Sequence, residues 1–491
     1  MSVKQQQLDD AALLASGGEL PLYASTAKIY PQSVEGRFRR IKWAILFVTL
    51  GIYYFLPFLR WDRGLDAPGQ AVLVDIANRR FYFFFIEIWP QEFYYLTGLL
   101  ILAAFALFLM NSLAGRLWCG YLCPQTVWTD LFLLVERWIE GDRRERMMKD
   151  NQPMSLERFT EKLLKHSTWL LIAWWTGGAW VLYFADAPTL VYKLATFQGE
   201  PVAYIWIAIL TFTTYFLAGF MREQVCTYMC PWPRIQAALT DEWALNVTYR
   251  FDRGEPRGSV KKNEALRQAG AKSGDCVDCH QCVNVCPTGV DIRDGLQIDC
   301  IQCGLCIDAC DNIMTRIGRP TGLIGYDTEN NVKRRDAGLA SLPTRLVRPR
   351  TVLYTLLISF VGLLMLYTLA TRKIIEVAAI HDRNPQYVTL SDGSIRNGYT
   401  LRLVNRQDVE RKFLVGVEGL ADAKIESAAT ATDAQGRLQV AVGRDQTLEL
   451  RVLISAPASV SHDVKSLPVV IRVQDPATGA SAVVTDHFFL P

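Results

Sequence analysis

Five stretches of this chain are apolar for close to the length that a helix needs to cross a bilayer. They start near Ile41, Tyr95, Thr168, Pro201 and Thr351, and end near Leu59, Leu113, Ala185, Phe220 and Ala370. A hydrocarbon core of about 30 Å takes roughly 20 residues of helix. Backbone N–H and C=O groups in lipid must find partners inside the chain, so such runs fold as long helices. Trp and Tyr gather at their ends, where rings with one polar edge settle at a membrane surface. Buried core helices are the alternative, and long uncharged runs with aromatic ends argue against them.

Lys and Arg in short loops mark the cytoplasmic side. Arg37, Arg39, Arg40 and Lys42 stand at the first run, and nine basic residues fall within 114–167. Arg345, Arg348 and Arg350 precede the last run, whereas 187–200 holds only Lys193 and 61–91 holds Arg63, Arg79 and Arg80. The N-terminus, 114–167 and 221–350 are therefore expected inside a plasma membrane. Five crossings then leave 371–491 outside. All twelve cysteines fall on the inner side or at that face, where a reducing cytosol keeps thiols free for metal. The net charge of +3 gives no case for nucleic acid.

The cysteine spacing is specific. Residues 276–287 read CVDCHQCVNVCP and residues 300–310 read CIQCGLCIDAC. Both are C-x2-C-x2-C-x3-C, the bacterial ferredoxin run, in which three cysteines hold one [4Fe–4S] cluster and the fourth crosses to the other. Cys276, Cys279, Cys282 and Cys310 are expected on one cluster, and Cys300, Cys303, Cys306 and Cys286 on the second. Zinc ribbons use two C-x2-C pairs per ion, and two complete quartets favour iron–sulfur. Asp311 departs from the proline that often follows the second run, and the gap after Cys286 is short. His280 is expected to face solvent and tune a cluster. No G-x-G-x-x-G or P-loop is present, so nothing in the sequence points to a nicotinamide, flavin or nucleotide site. Electrons must come from a separate, unidentified cytosolic donor.

Two further pairs stand at the ends of apolar runs: CGYLCP, Cys119 to Pro124, and CTYMCP, Cys226 to Pro231. In a helix, residues four apart share a face, so Cys119 and Cys123 would point one way, and Cys226 and Cys230 likewise. Pro124 and Pro231 mark a helix break or the first turn of a new helix. If the two ends are neighbours, four thiols converge at the cytoplasmic interface. Soft thiolates favour copper(I), zinc or iron–sulfur, and spacing does not decide among them. Copper is one candidate, fed with electrons by the nearby clusters. Small buried residues closing helix ends are the plain alternative, which the repeat of the whole pattern disfavours.

The remainder sets the domain layout. Residues 1–40 are expected to be a flexible cytoplasmic N-terminus. Residues 41–220 hold four transmembrane helices with the CxxxCP motifs and a connector. Within that connector Trp128, Leu131, Leu134, Val135 and Trp138 recur at helical spacing, which suggests a helix lying on the membrane surface. Residues 221–350 form the ferredoxin-like domain, and 351–370 the fifth helix. In 371–491, Gly398–Asn405, Arg411–Val417, Gly436–Val442, Thr447–Ser455, Pro468–Gln474 and Ser481–Phe488 read as strands punctuated by turn residues. That pattern predicts an all-β sandwich of immunoglobulin type, a folded cap or a docking surface for an outer-face partner. The fold class is thus a multi-domain α-helical membrane protein with an inserted 2[4Fe–4S] ferredoxin-like domain and a C-terminal Ig-like sandwich.

Along nearly its whole length the chain also resembles the cytochrome c oxidase accessory family CcoG, also called FixG or RdxA. The resemblance is carried by KIYPQSVEGRFRRIKW, PFLRWDRG, RRFYFFFIEIWPQEFYYLTGLL, RLWCGYLCPQTVWTDLF, REQVCTYMCPWPRIQ, the ferredoxin runs with PTGVDIRDGLQ, and the strand-rich tail. It implies a polyferredoxin of the bacterial inner membrane that reduces copper(II) to copper(I) in the cytoplasm for assembly of cbb3-type oxidase. A copper-exporting P-type ATPase and a copper chaperone are the partners it implies. A respiratory carrier serving the quinone pool and a non-catalytic assembly scaffold are the competing functions.

Overall fold

The computed structural model describes residues 28–63, 68–88, 92–371, 375–405, 409–428, 430, 432–443, 446–457 and 465–490. The chain divides into two compact units. One runs to Met365 except for Arg63–Ala67, and the other is made by that segment and Leu366–Pro491.

Four helices among the described residues are long and apolar enough to cross a membrane: Arg37–Phe58, Tyr94–Ala114, Pro201–Met221 and Pro349–Ala370. The apolar stretch of the last has none of its residues buried. Phe47, Phe55, Leu100, Ile205, Phe212, Leu356 and Phe360 are likewise exposed on these helices. Such surfaces are stable only against lipid or another apolar partner. The third expected run lies mostly in the helix Leu156–Val181, whose Lys165 and His166 and frequent Trp, Thr and Gly keep it outside that group of four. This helix packs antiparallel to Pro201–Phe216. Trp169 meets Tyr215 and Phe220 at ring separations of 6.5 and 6.4 Å. A Cβ on Gly177 would stand 2.9 Å from the Ile207 carbonyl oxygen.

Two expectations, for the connector and for the N-terminal segment, are corrected. The connector helix Pro124–Glu140 does not lie on a surface. Its buried face carries Val127, Asp130, Phe132, Leu133, Val135 and Glu136, and Phe132 stacks on Trp169 at 5.1 Å. Leu134 and Trp138 of the anticipated stripe are the exposed ones. The N-terminal segment is packed where it is described, from Lys28 on; its earlier residues lie outside the described set. Tyr30 Oη donates to Asp150 at 2.7 Å, Ser33 Oγ to Asp142 at 2.6 Å, and Gln32 N–H to the Asn284 carbonyl at 2.8 Å. Lys28–Gly36 is thus a strap tying the helix Arg143–Asp150 to the first cysteine run. Residues 61–91, read only as a loop, contain a three-stranded antiparallel sheet of Val72–Asp75, Arg80–Phe83 and Ile86–Ile88.

The cysteine runs lie in sequence between the strands Leu245–Tyr249 and Ile324–Thr328, which pair antiparallel with Val247 opposite Tyr326. Their core contains Val247, Tyr249, Ile292, Ile307, Met314 and Ile324 together with Cys276, Cys282 and Cys310.

The second unit is a two-sheet sandwich. One sheet runs Lys424–Glu426, Thr447–Ala456, Ile395–Asn405, Ile375–His381, with Val388–Thr389 paired to the third of these; the other runs Leu438–Val442, Arg411–Glu418, Ser466–Gln474, Ser481–Phe489. Burial alternates along Ile395–Asn405, as a strand with one face on a core requires. Tyr399, Leu401 and Leu403 from the first sheet and Phe413, Val415 and Ile471 from the second are fully buried.

Candidate functional site

The two ferredoxin runs fold alike. Asp278 and Gln302, each just before the second cysteine, have φ of 53° and 56°; His280 and Gly304, each just after it, have 56° and 76°. Left-handed residues in a tight turn face successive N–H groups inward, as a cradle for anionic sulfide. After each turn the chain enters a helix, Gln281–Asn284 in the first run and Leu305–Arg316 in the second.

The fourth cysteine of each run lies near the opposite run. Cys310 lies within electrostatic range of Cys282, Cys276 and Cys279. Cys306 lies within range of Cys303, Cys300 and Cys286, and also of Cys282, so the two quartets adjoin. A small cavity is lined by Cys286, Cys300, Cys303 and Cys306, together with Cys282 of the other quartet. Burial pushes the Cys282 thiol up to about 12 even though Arg293 pulls it down. Buried thiolates need a cationic partner, and iron supplies one. The donors are soft, numerous and deep, and they fit two clusters. His280 is largely exposed, as anticipated, and its Nδ1 lies 2.8 Å from Arg293 Nη2.

The CxxxCP motifs are brought together, though not on continuous helix faces. Cys119 sits in the short helix Leu117–Tyr121 and Cys226 in the π-turn Val225–Met229, whereas Cys123 and Cys230 are extended, with ψ of 127° and 122°. Each motif closes with the same i→i−5 bond, Cys123 N–H to the Trp118 carbonyl at 2.9 Å and Cys230 N–H to the Val225 carbonyl at 2.8 Å. The shared-face expectation therefore fails at the second cysteine of each pair, where proline ends the ladder. Pro124 opens the helix Pro124–Glu140, and Pro231 caps Trp232–Leu239. Cys119 feels the charge of Cys123, Cys226 and Cys230; burial first, then these neighbours, pushes its thiol up to about 12 against the pull of Arg116. Burial likewise raises Cys226 to about 12, with Cys123 and Cys230 adding to it.

Residues that the sequence reading passed over join these parts. Arg116 Nη2 donates to the Pro233 carbonyl at 2.6 Å, Nη1 donates to the Ile298 carbonyl, and its backbone N–H donates to Gln302 Oε1 at 2.9 Å. Its guanidinium is felt by both Cys119 and Cys300. Gln125 Nε2, just after the first motif, donates to the Leu217 and Arg222 carbonyls at 2.8 and 3.1 Å and so satisfies the helix end that leads into the second. The Cys119 thiol donates to Gln236 Oε1 at 3.3 Å, and Tyr121 Oη donates to the Cys303 carbonyl at 2.9 Å. Gly120 lies against the ligand loop itself: a Cβ there would stand 2.7 Å from the Ile301 carbonyl oxygen. Asp308, between Cys306 and Cys310, accepts from the N–H groups of Phe38 and Arg39 at 3.1 and 2.8 Å. It thereby caps the first long helix from the cluster domain. Repetition of CxxxCP was the only signal in the sequence for this junction, since Arg116, Gln125 and Gln236 are ordinary residue types in no motif.

Known proteins match the same layout. A 4Fe-4S dicluster domain matches residues 221–329, a 4Fe-4S binding domain matches 96–141, and the Ig-like fold at the C-terminus of FixG matches 365–491. The nitrogen fixation protein FixG of Rhizobium meliloti is 48% identical, covering 99% of this chain and 97% of its own. Protein RdxB of Cereibacter sphaeroides is 51% identical, covering 93% of this chain and 95% of its own. The crystal structure of a FixG-related protein from Vibrio parahaemolyticus aligns with 24% of this chain and 96% of its own at 18% identity and a TM-score of 0.20. Cysteine runs, apolar helices and sandwich together define a membrane iron–sulfur electron-transfer protein. The chain belongs to the FixG/RdxA family.

Proposed function

We propose that this protein reduces copper(II) to copper(I) on the cytoplasmic side of a bacterial inner membrane, for assembly of a cbb3-type oxidase. The observation that carries the reading is the direct packing of Cys119–Tyr121 on the ligand loop Ile301–Cys303. A route for electrons leads from the ferredoxin quartets to the four CxxxCP thiols.

When bound, the clusters supply one-electron chemistry, matching the single electron that converts Cu²⁺ to Cu⁺. The chain's residues do the rest. Cys276, Cys279, Cys282 and Cys310 hold one cluster, and Cys286, Cys300, Cys303 and Cys306 hold the other. Gly120 lets the first CxxxCP motif approach the second quartet, and Arg116 places a fixed positive charge between them. Copper enters as the substrate, drawn to the junction by soft thiolates that favour its reduced state. A copper-exporting ATPase and a small copper chaperone are the proposed recipients, and a cytosolic reductase is the proposed donor.

The topology proposed is five crossings, with N-terminus and clusters inside and the sandwich outside. Its support is the helix Leu156–Val181, which lies along Pro201–Phe216 for most of that helix's length. If one crosses, its antiparallel neighbour does too. A periplasm-active reporter fused after Pro491 is expected to be active, and activity only for a cytoplasmic reporter there contradicts the topology.

Function is tested in membranes carrying reduced protein, by following copper(I) with a chromogenic chelator. Wild type is expected to form copper(I), and Cys226→Ser/Cys230→Ser to lose most of that activity with the ferredoxin clusters intact. Quinone-dependent reoxidation with no copper(I) formed would point instead to a respiratory carrier.

A further inference from the structure

We propose that electrons enter this protein at the exposed Cys279 edge of the first ferredoxin quartet, from a small acidic one-electron carrier protein that docks on the lysines of the adjoining helix Val260–Gln268. This deepens the reading of the quartets as a route for electrons to the CxxxCP thiols, and rests on it.

The two runs are matched in backbone but not in cover. Asp278, Cys279 and His280 of the first correspond to Gln302, Cys303 and Gly304 of the second. The first three are exposed and the second three are buried. Of the twelve cysteines, all among the described residues, Cys279 is the exposed one. The second edge is covered by this chain's own packing. Tyr121 Oη donates to the Cys303 carbonyl at 2.9 Å, and a Cβ on Gly304 would stand 2.8 Å from Phe38 Cγ. The strap Lys28–Gly36 meets the first run at Asn284, beyond Cys282, and leaves Cys279 open. Electron transfer weakens steeply with distance, so a protein donor in solution has its closest approach at Cys279.

The charge beside that edge fits an acidic partner. The helix Val260–Gln268 is pinned to a ligand of the first quartet. Asn263 Nδ2 donates to the Cys276 carbonyl at 3.0 Å, and the Gly258 N–H, just before the helix, donates to the same oxygen at 3.2 Å. A Cβ on Gly258 would stand 3.5 Å from Lys262 Cδ, so the Lys262 stem lies beside that contact. Lys261, Lys262 and Lys272 are exposed and have no ion pair among the described residues. Against them the helix carries one acid, Glu264, and none in its first turn, where Lys261 and Lys262 stand. Positive charge at that end opposes the helix dipole, so the two lysines do not serve the helix itself. Asp278, the acid at the edge, is already paired with Arg293 at 2.5 Å. A carboxylate-rich face would be steered to this edge by the lysines. One electron would leave the reduced centre of the carrier and be taken up by the cluster on Cys276, Cys279, Cys282 and Cys310, with no bond formed or broken.

The test uses full-length protein in detergent, loaded with its clusters, and reduced flavodoxin as the acidic probe. Binding is measured by calorimetry and cluster reduction by absorbance. At about 0.01 M salt, where charges act over about 30 Å, Lys261→Glu/Lys262→Glu is expected to bind flavodoxin, and to be reduced by it, about tenfold less well than wild type. At about 1 M salt, where that range is about 3 Å, the difference is expected to vanish. Glutamate suits a helix N-terminus, so the variant is expected to fold, and equal reduction by uncharged photoreduced deazariboflavin shows its clusters intact. Carbodiimide cross-links to flavodoxin are expected at Lys261, Lys262 or Lys272. Flavodoxin that does not bind, binding unchanged in the variant, or cross-links gathered at Lys333 instead would overturn the proposal. Copper(I) formation by chemically reduced protein is read separately. Its loss with lysine-dependent docking kept sinks the copper reading alone; its retention with docking indifferent to the lysines sinks the entry surface alone.

Discussion

A methyl group added at Gly120 would stand 2.7 Å from the Ile301 carbonyl oxygen and 3.1 Å from Cys303 Cα. Both are backbone atoms of a ligand loop, so nothing flexible yields. Gly120→Ala is expected to cost about 1–3 kcal/mol, as overpacking does, and to slow copper(II) reduction. The check is the temperature at which iron–sulfur absorbance is lost, alongside the copper(I) assay; a variant equal to wild type in both removes this contact from the account. Gly36 is a second close approach, where a Cβ would fall 2.2 Å from Asp308 Cγ. At this scale the sequence was informative about ligands and silent about their supports. Cysteine spacing encodes cluster binding because four sulfurs must reach four corners of one object. The side-chain hydrogen bonds of Arg116 and Gln236 reach partners more than a hundred residues away in sequence, so no local pattern marks them.

The strap Lys28–Gly36 belongs to the scale of elements. Burial raises the Asp150 carboxyl, but hydrogen bonds from Lys28 and Tyr30 and the charge of Lys28 outweigh it and hold the group at about 2. Asp142 is also held below its ordinary value: burial opposes this, and bonds from Ser33 and the Arg143 backbone prevail. Both folded values lie below the unfolded ones, so their anchoring is complete above about pH 4 and is lost as pH falls through the folded values, about 2 for Asp150. Proteolysis or hydrogen exchange in residues 28–36 is therefore expected to rise below pH 4, and to rise at neutral pH in Asp150→Asn. Protection unchanged between pH 6 and pH 3 contradicts the anchoring. The strap was unreadable in sequence because its residues are polar and aperiodic; it is held by side-chain hydrogen bonds instead of a buried face. The sandwich strands were legible from alternation, as in Ile395–Asn405, while Ile375–His381 was missed. The connector helix was found from its period but placed on the wrong surface. Asp130 and Glu136 of this helix are both buried. Asp130 is paired with Arg39 at 2.8 Å, and Glu136 with Arg146 and Arg222 at 2.6 and 2.9 Å.

At the scale of the whole chain, soluble electron carriage is joined to a membrane by a few long-range bonds. Asp308 caps the first long helix, and Arg116 clasps the end of the second to the ligand loop. Arg348, before the last long helix, is bonded to Asp241 at 2.6 Å. These contacts fix the ferredoxin quartets against the helix ends that carry the CxxxCP thiols, and that fixed adjacency is what the functional account requires. It is tested most directly by counting electrons in a single turnover. Full-length protein is reduced anaerobically, freed of reductant and mixed with excess copper(II), while iron–sulfur absorbance and copper(I) are followed together. The account predicts one copper(I) formed for each electron lost from the clusters, with both signals changing at one rate. Clusters that stay reduced while copper(II) persists, or copper(I) that appears without cluster oxidation, would contradict it.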